Sequence, residues 1–415
     1  MIDITKLAFE GGEPTRTDEF APWPYFDEEL IEAVSEVLRS GKVNYWSGQQ
    51  GRKFEREYAA FVGTNHAVAV ANGTLALELA LAGLGVAQGD EVIVPSRTFI
   101  ASASAVVMRG ATPVICDIDS RSQNLTAETI RPHLTPRTKA IIAVHLAGWP
   151  CDMDPIMALA RQHNLKVIED CAQAHGATYK GRPIGGIGEL GCFSFCQDKI
   201  LTTGGEGGMV VMNDRDLWNR CWSFKDHGKD WDAVYNTPGP SVFKFVHEDF
   251  GTNWRITEMQ SAIGRIILQR LPGWVEKRRV NAALLEQGLS QIDGITVPSP
   301  TKEFGHSYYK FYAFIDSARL GPEWTRDQVL RALQAEGILC GSGSCGEIYL
   351  EKAFSKHGIA PLKPLPVARK LSESSLMFVV HPTLGLQEME DTCRAVRKVL
   401  QHAFAGSSSK PAKAA

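Results

Sequence analysis

Apolar residues follow two rhythms along this chain. From about residue 52 to 212, seven short runs rich in β-branched residues recur: HAVAV (66–70), DEVIVP (90–95), TPVICDID (112–119), TKAIIAVHLAG (138–148), LKVIED (165–170), LGCFSFC (190–196) and GGMVVM (207–212). Between them, TLALELALAGLG and DPIMALARQHN carry apolar residues at helical spacing, the second preceded by Asp152 and Asp154 as candidate caps. Strands alternating with helices predict an α/β fold with a mostly parallel seven-stranded sheet. Only a glycine-rich run joins the last two strands. It is too short for a helical crossover, so that pair is expected to be antiparallel or splayed.

Past Arg265 the pattern changes to a long helix through LPGWVEKRRVNAALLEQGL, a strand in SYYKFYAFID, a helix in RDQVLRALQAEG and a last helix near QEMEDTCRAVRKVLQHAF. The expected organisation is a large α/β domain over 1–265 with an N-terminal arm at 1–29, a smaller C-terminal α+β domain over 266–404, and a disordered tail at 405–415 (AGSSSKPAKAA).

Composition narrows the partners. At 415 residues with 44 basic and 47 acidic side chains, a net charge of -3 provides no field for nucleic acid or an anionic membrane, so a small molecule is the expected partner. The start, MIDITKLAFEGGEPTR, lacks the basic then apolar order of an export signal, and no apolar run reaches the 18 residues of a membrane span. Nine cysteines without a C-x-x-C suggest neither a disulfide framework nor a zinc site, and a reducing cytoplasm is the expected setting.

Glycine signatures come next. GSGSCG (341–346) satisfies G-x-G-x-x-G, but LKPLPVARK follows where a dinucleotide site needs a βαβ unit and an acid, so it reads as a loop. TTGGEGG (202–208) lacks the G-K-[ST] of a P-loop. A richer set sits at strand ends. Asp170 closes KVIED, Lys199 follows the strand that ends at Ser194, and Asn72, Gly73 and Thr74 open a helix whose first N–H groups suit a phosphate. Phe99 follows another strand in PSRTFIAS. Taken singly, each residue reads as a cap or a surface charge. Together they supply what pyridoxal phosphate needs: an amine, a carboxylate for the pyridine nitrogen, a phosphate cradle and an aromatic face.

ANGTLALELAL (71–81), EDCAQAHGA (169–177), SFCQDKILTTGGEGG (194–208) and GTNWRITEMQSAIG (251–264) resemble the DegT/DnrJ/EryC1/StrS family of pyridoxal-phosphate-dependent aminotransferases of fold type I. The similarity extends from GGEPTR near residue 11 to HPTLG (381–385). It implies that Lys199 forms the internal aldimine, Asp170 pairs with the pyridine nitrogen, Gln173 approaches the ring hydroxyl, and Ser194, Gly73 and Thr74 hold the phosphate. Phe99 would cover the ring, and Asn253 would reach the phosphate of a partner subunit, making a homodimer a condition of the site. The implied reaction moves an amino group from L-glutamate, by way of pyridoxamine phosphate, to a keto group of a nucleotide-linked deoxy sugar.

The substrate side is less direct. Trp46 and Ser47 open WSGQQGRKFE (46–55), which reads either as a substrate loop or as a connector before a helix starting near Arg52. Lys310 in SYYKFY stands where many family members have a histidine near the substrate phosphates, and a lysine can pair with a diphosphate as a point charge. TTGGEGG carries one glycine more than the usual TTGEGG, and GSGSCGEIYLEKAF departs from the expected proline-rich segment. His145 and His175 are candidate pocket residues or hydrogen-bonded core histidines. Alternatives within the family are a dehydratase, which Lys199 argues against, and an aminodehydratase of the aminohydroxybenzoate type, which would keep the lysine. Outside catalysis stand a cofactor-binding sensor, for which no basic helix-turn-helix segment is visible, and a plain doubly wound binding domain.

Overall fold

A computed structural model describes residues 6–236 and 245–405. The seven runs all become strands: β1 (His66–Val70), β2 (Glu91–Pro95), β3 (Thr112–Cys116), β4 (Thr138–Val144), β5 (Lys166–Asp170), β6 (Leu190–Ser194) and β7 (Gly208–Met212). They form one sheet in the order β1-β7-β6-β5-β4-β2-β3. From β3 to β6 all neighbours are parallel, while β7 is antiparallel to both β6 and β1. The expected antiparallel pair is therefore β6 with β7, with Ser194 opposite Gly208. Two reversals leave β1 parallel to the rest, so the carboxyl ends of β1, β2, β5 and β6 share one edge.

Because successive side chains in a strand point to opposite faces, each strand feeds two cores. Ala67 and Ala69, Ile141 and Ala143, Met209 and Val211 enter one; Val68 and Val70, Ile142 and Val144, Val210 and Met212 enter the other. Unbroken apolar runs are what a sheet covered on both faces requires. The helix Gln50–Val62 brings Phe54 and Tyr58 to the first face, and the helix Gly73–Gly83 brings Leu77 and Leu79 to the second.

A third core lies beyond the sheet. The 32-residue helix Glu258–Leu289, opened by a capping box between Thr257 and Gln260, places Ile267, Leu271 and Val275 in the large core and Ala282, Leu285 and Leu289 in the third. The proposed boundary between residues 265 and 266 falls inside this helix. An antiparallel sheet pairs Phe311–Ile315 with Ile295–Thr296 and Ser375–Phe378, and Ser375–Phe378 with Cys340–Gly341. The helices Arg326–Ala335 and Leu386–Ala405 supply Val329, Leu333, Val396 and Val399 to the same core.

Two local expectations resolve differently. The strand expected across SYYKFYAFID covers only Phe311–Ile315, and Tyr308 before it has φ +49, turning the lead-in away from the ladder. Asp152 and Asp154 do not cap their helix through side-chain bonds: Asp152 accepts from the Tyr179 hydroxyl, and Asp154 pairs with Lys180 and Arg182. From residue 406 the proposed disordered tail lies outside the described residues, as do residues 1–5 of the arm.

The beginning of the arm docks on the C-terminal unit. Buried Glu336 accepts from Ala8 N at 2.9 Å, Thr15 N at 2.9 Å, Thr15 Oγ1 at 2.7 Å and Lys398 Nζ at 2.9 Å. Burial alone would raise the Glu336 carboxyl, but these donors outweigh it and hold it below the usual carboxylate range. A depressed carboxylate contributes stability above its unfolded pKa and loses it as pH falls through the folded value. Glu336→Ala should therefore lower stability at pH 7 by about 3–5 kcal/mol, speed proteolysis of the arm, and give melting curves that converge with wild type on acidification. Unchanged melting at pH 7 would contradict this account of the arm.

Candidate active site

The shared edge of β1, β2, β5 and β6 opens into a cavity of about 770 Å3. Crevices at the carboxyl ends of strands are where open α/β sheets bind ligands. Asp170 and Ser194 are the last residues of β5 and β6, Gly73 and Thr74 begin the helix after β1, and Phe99 follows β2. Gly73, Thr74, Phe99, Asp170, Gln173, Ser194, Lys199 and Lys310 all line the cavity. Phe99 is 65% exposed and offers this cavity an apolar ring.

Helix start and strand end touch closely. A Cβ added at Gly73 would lie 2.5 Å from Ser194 Cβ and 2.8 Å from its Oγ, so only glycine brings the helix N-terminus onto the Ser194 hydroxyl. The Asn72 side chain caps the helix by accepting from Leu75 N at 3.0 Å. The first N–H groups of a helix, here those of Gly73 and Thr74, have no intrahelical acceptor and are suited to an anion. Within the glycine run, Gly207 (φ +158) is confined as well, because a Cβ there would meet Thr203 Oγ1 at 2.2 Å.

Two neighbouring acids behave in opposite ways. Glu169 accepts from Gly185 N, Ile187 N, Gly188 N and His145 Nε2 at 2.7–3.1 Å. Burial would raise it, but His145 and these N–H groups hold its carboxyl below the usual range. Asp170 accepts from Ser102 Oγ at 2.9 Å and Ala172 N at 3.1 Å. Burial dominates there and raises its carboxyl, against Ala172 N–H, the Ser102 hydroxyl and the Lys199 charge. A buried carboxylate short of positive charge is suited to a cationic ring nitrogen.

Lys199 Nζ lies 3.4 Å from the Tyr309 hydroxyl and 4.6 Å from the centre of the Tyr309 ring. Tyr309 donates to Asp198, and Lys310 Nζ lies 3.9 Å from the same carboxylate. Burial, then Asp198, raises the Tyr309 hydroxyl; burial lowers Lys310. From the arm, Trp23 Nε1 donates to the Lys199 carbonyl at 3.1 Å. Gln173 Oε1 accepts from Ala147 N at 2.8 Å.

Other candidates are placed elsewhere. Trp46 stacks on Tyr235 with ring centres 5.9 Å apart and donates to Asp226 Oδ1 at 3.3 Å, and Ser47 bonds to the Asn44 carbonyl; neither lines this cavity. Asn253 is exposed beside Asp226 and also lies outside the lining. His175 is buried, accepting from the Tyr58 hydroxyl at 2.8 Å and donating to the Ser194 carbonyl at 2.9 Å; burial drives its pKa down to about 3, and it props the strand end while neutral. His145 uses Nδ1 to accept from Cys151 N. With Glu169 and Cys171 it gathers three ligand-type atoms, but the Glu169 oxygens and His145 nitrogens are engaged in hydrogen bonds and burial raises the Cys171 thiol, so this group is a core network.

Sequence reasoning missed Tyr309, Asp198, Trp23 and the GSGSCG loop, whose Gly343, Ser344 and Cys345 line the cavity. The only sequence signal for Tyr309 was its place next to Lys310. The loop reaches the cavity through contacts distant in sequence: Ser344 N donates to Tyr312 Oη at 2.7 Å, and Gln173 Nε2 to Ser344 Oγ at 3.5 Å.

A family profile described as the DegT/DnrJ/EryC1/StrS aminotransferase family matches residues 24–397. The X-ray structure of an aminotransferase from Psychrobacter cryohalolentis is 52% identical, with a TM-score of 0.91 over 92% of this chain and 99% of that one. A UDP-N-acetyl-3-dehydro-alpha-D-glucosamine 3-aminotransferase from Acidithiobacillus ferrooxidans is 37% identical over 92% of this chain and 95% of its own length. A GDP-perosamine synthase from Caulobacter vibrioides is 43% identical over 71% of this chain and 76% of its own.

A raised carboxyl favours its protonated form when folded, so wild type loses stability relative to a non-titrating residue as pH rises through the folded value. Cofactor-free Asp170→Asn should therefore melt above wild type at pH 8, with the gain shrinking toward pH 4, by about 1–2 °C for each kcal/mol relieved. Thermal scans across that range check it, and a difference independent of pH would refute the proposed state of Asp170.

Proposed function

The chain belongs to the DegT/DnrJ/EryC1/StrS aminotransferase family, and from that premise we propose that it binds pyridoxal phosphate in the Lys199–Asp170 cavity and transfers an amino group from L-glutamate to a keto group of a nucleotide-linked deoxy sugar. The single observation that carries this reading is an amine, Lys199, and a buried, under-neutralised carboxylate, Asp170, lining one cavity beside an anion cradle of Gly73, Thr74 and Ser194. These residues fit the cofactor: the donors of the helix start suit its phosphate, the Phe99 face suits its ring, and Asp170 suits its pyridine nitrogen. When bound, pyridoxal phosphate withdraws electrons from the carbon whose proton moves.

The protein's own residues do the remainder. Asp170, held in orientation by Ser102 and Ala172, would pair with the ring nitrogen and favour its charged form. The Lys199 amine would hold the cofactor and, once free, would carry a proton on Nζ. Tyr309, hydrogen-bonded to Asp198, steadies Nζ in reach. Lys310, beside Asp198 at the cavity wall, would meet the phosphates of the sugar substrate. The UDP- and GDP-linked names among relatives support a nucleotide-linked acceptor without choosing the nucleotide.

Asn253 lies exposed and off its own cavity, which supports its assignment to the site of a second subunit in a homodimer. No helix among the described residues is long and apolar enough to cross a membrane. A cytoplasmic setting is part of this proposal and rests on the sequence, whose nine cysteines show no C-x-x-C spacing.

Purified protein mixed with pyridoxal phosphate should gain a visible band that L-glutamate bleaches and a keto sugar nucleotide restores. Lys199→Ala should lose turnover by about 10³-fold or more while keeping its fold and its quaternary state. A band that ignores glutamate would move the reaction to another donor; retained turnover in Lys199→Ala would end the assignment.

A further inference from the structure

Beside the main cavity, and sharing Ser344 and Cys345 with it, lies a second hollow of about 350 Å3. Two guanidinium groups line it. Arg97, in the segment after β2, is 1% exposed; its Nη2 donates to Ser375 Oγ at 3.1 Å, while Nε and Nη1 are buried without a partner among the described residues. Its guanidinium sits 5.4 Å from the centre of the Tyr312 ring, and Tyr312 also lines the main cavity. Arg326, the first residue of its helix, donates Nη1 to the Ser375 carbonyl at 3.0 Å and comes within 3.5 Å of Ser375 Oγ.

Acids nearby are engaged or sit at the rim. Asp327 takes Arg326 Nε at 2.7 Å. Glu347 accepts from the Tyr349 hydroxyl and lies 3.5 Å from Ser372 Oγ and 3.8 Å from Arg369. Glu351 lines the hollow as an exposed residue. The backbone bond from Ile348 N to the Ser96 carbonyl, 2.9 Å, ties the 341–350 segment to the stretch that carries Arg97.

Buried donors are nearly always satisfied, and a guanidinium with unclaimed N–H groups beside a second cation is a costly arrangement for a fold to keep without use. Burial, followed by the Arg326 charge, holds Arg97 below its usual range against the opposing pull of Tyr312. A compact two-oxygen anion would satisfy both arginines at once, since the planar guanidinium fork matches carboxylate geometry.

We propose that Arg97 and Arg326 form a carboxylate subsite opening into the Lys199 cavity, and that one of the two substrates carries a carboxylate remote from the carbon that gains or loses nitrogen. The carboxylate comes either from a dicarboxylic amino donor or from an acidic sugar acceptor. Its placement in a substrate rests on the aminotransferase reading above; the anion site itself does not.

The test uses holoenzyme, with glutarate as the carboxylate probe and UDP as a phosphate probe, at matched ionic strength. Glutarate should raise the melting temperature of wild type, and this protection should weaken about tenfold or more in concentration in Arg97→Met, Arg97→Lys and Arg326→Met, with UDP protection unchanged. The two milder variants keep the test open should Arg97→Met fail to fold. If the donor supplies the carboxylate, the variants need at least about tenfold more L-glutamate, but no more L-alanine, to bleach the visible band. If the sugar supplies it, bleaching by glutamate is unchanged, and inhibition by a nucleotide-linked glucuronic acid weakens while that by the matching nucleotide-linked glucose does not. Equal glutarate protection in all proteins, no protection of wild type, or a loss confined to UDP would overturn the subsite. Arginine-dependent glutarate protection without any amino transfer would instead overturn the reaction and leave the subsite standing.

Discussion

The structure depends on keeping one carboxylate buried and only partly neutralised at the end of a strand. Glu169 and Asp170 are adjacent on β5, both buried, and face opposite sides of the sheet. Glu169 is closed in by three backbone N–H groups and His145, and its charge is settled within the core. Asp170 has two donors, Ser102 and Ala172, and burial leaves its carboxyl raised. Neighbouring acids are thus pushed in opposite directions: Glu169 is satisfied within the core, and Asp170 is left under-neutralised at the cavity. Ser102 is in turn fixed by Thr98, 2.9 Å away, so the carboxylate ties the segment after β2 to β5.

Around that group, the fold spends its rigid elements on placement. The parallel strands deliver Asp170 and Ser194 to one edge because β7 reverses direction and restores β1 to the common orientation. Gly73 lets the helix N-terminus abut Ser194, and His175 braces the Ser194 carbonyl from behind. The more adaptable side of the cavity comes from the C-terminal unit: Tyr309 and Lys310 from the turn before Phe311, and Ser344 and Cys345 from the glycine-bearing loop. Helix Glu258–Leu289 enters both cores and holds these two sides in register. This division suits a common cofactor chemistry joined to substrate contacts that vary, because loops tolerate change better than the sheet edge does.

Much of this was legible in the chain. The seven apolar runs are the seven strands, since a sheet buried on both faces demands unbroken apolar stretches. Asp170, Ser194, Gly73 and Lys199 could be found because strand ends and helix starts are local features, and the family resemblance rests on those same short motifs. Trp46 shows the limit. The sequence left its segment open between a substrate loop and a connector before a helix, and gave no sign that it packs with Trp222, Tyr235 and Lys229, nearly 200 residues distant.

What the sequence alone determined was periodicity: which segments are strands, how they pair where a connection is too short to cross, and which polar residues stand at their ends. Tertiary structure alone decided which of two adjacent acids is satisfied, that Tyr309 bridges Asp198 and Lys199, that the GSGSCG loop borders the cavity, and that Arg97 and Arg326 meet at Ser375. The physical reason is range. Side-chain alternation and turn length act between neighbours in the chain, whereas burial and charge pairing depend on the sum of everything packed nearby, which no local pattern encodes.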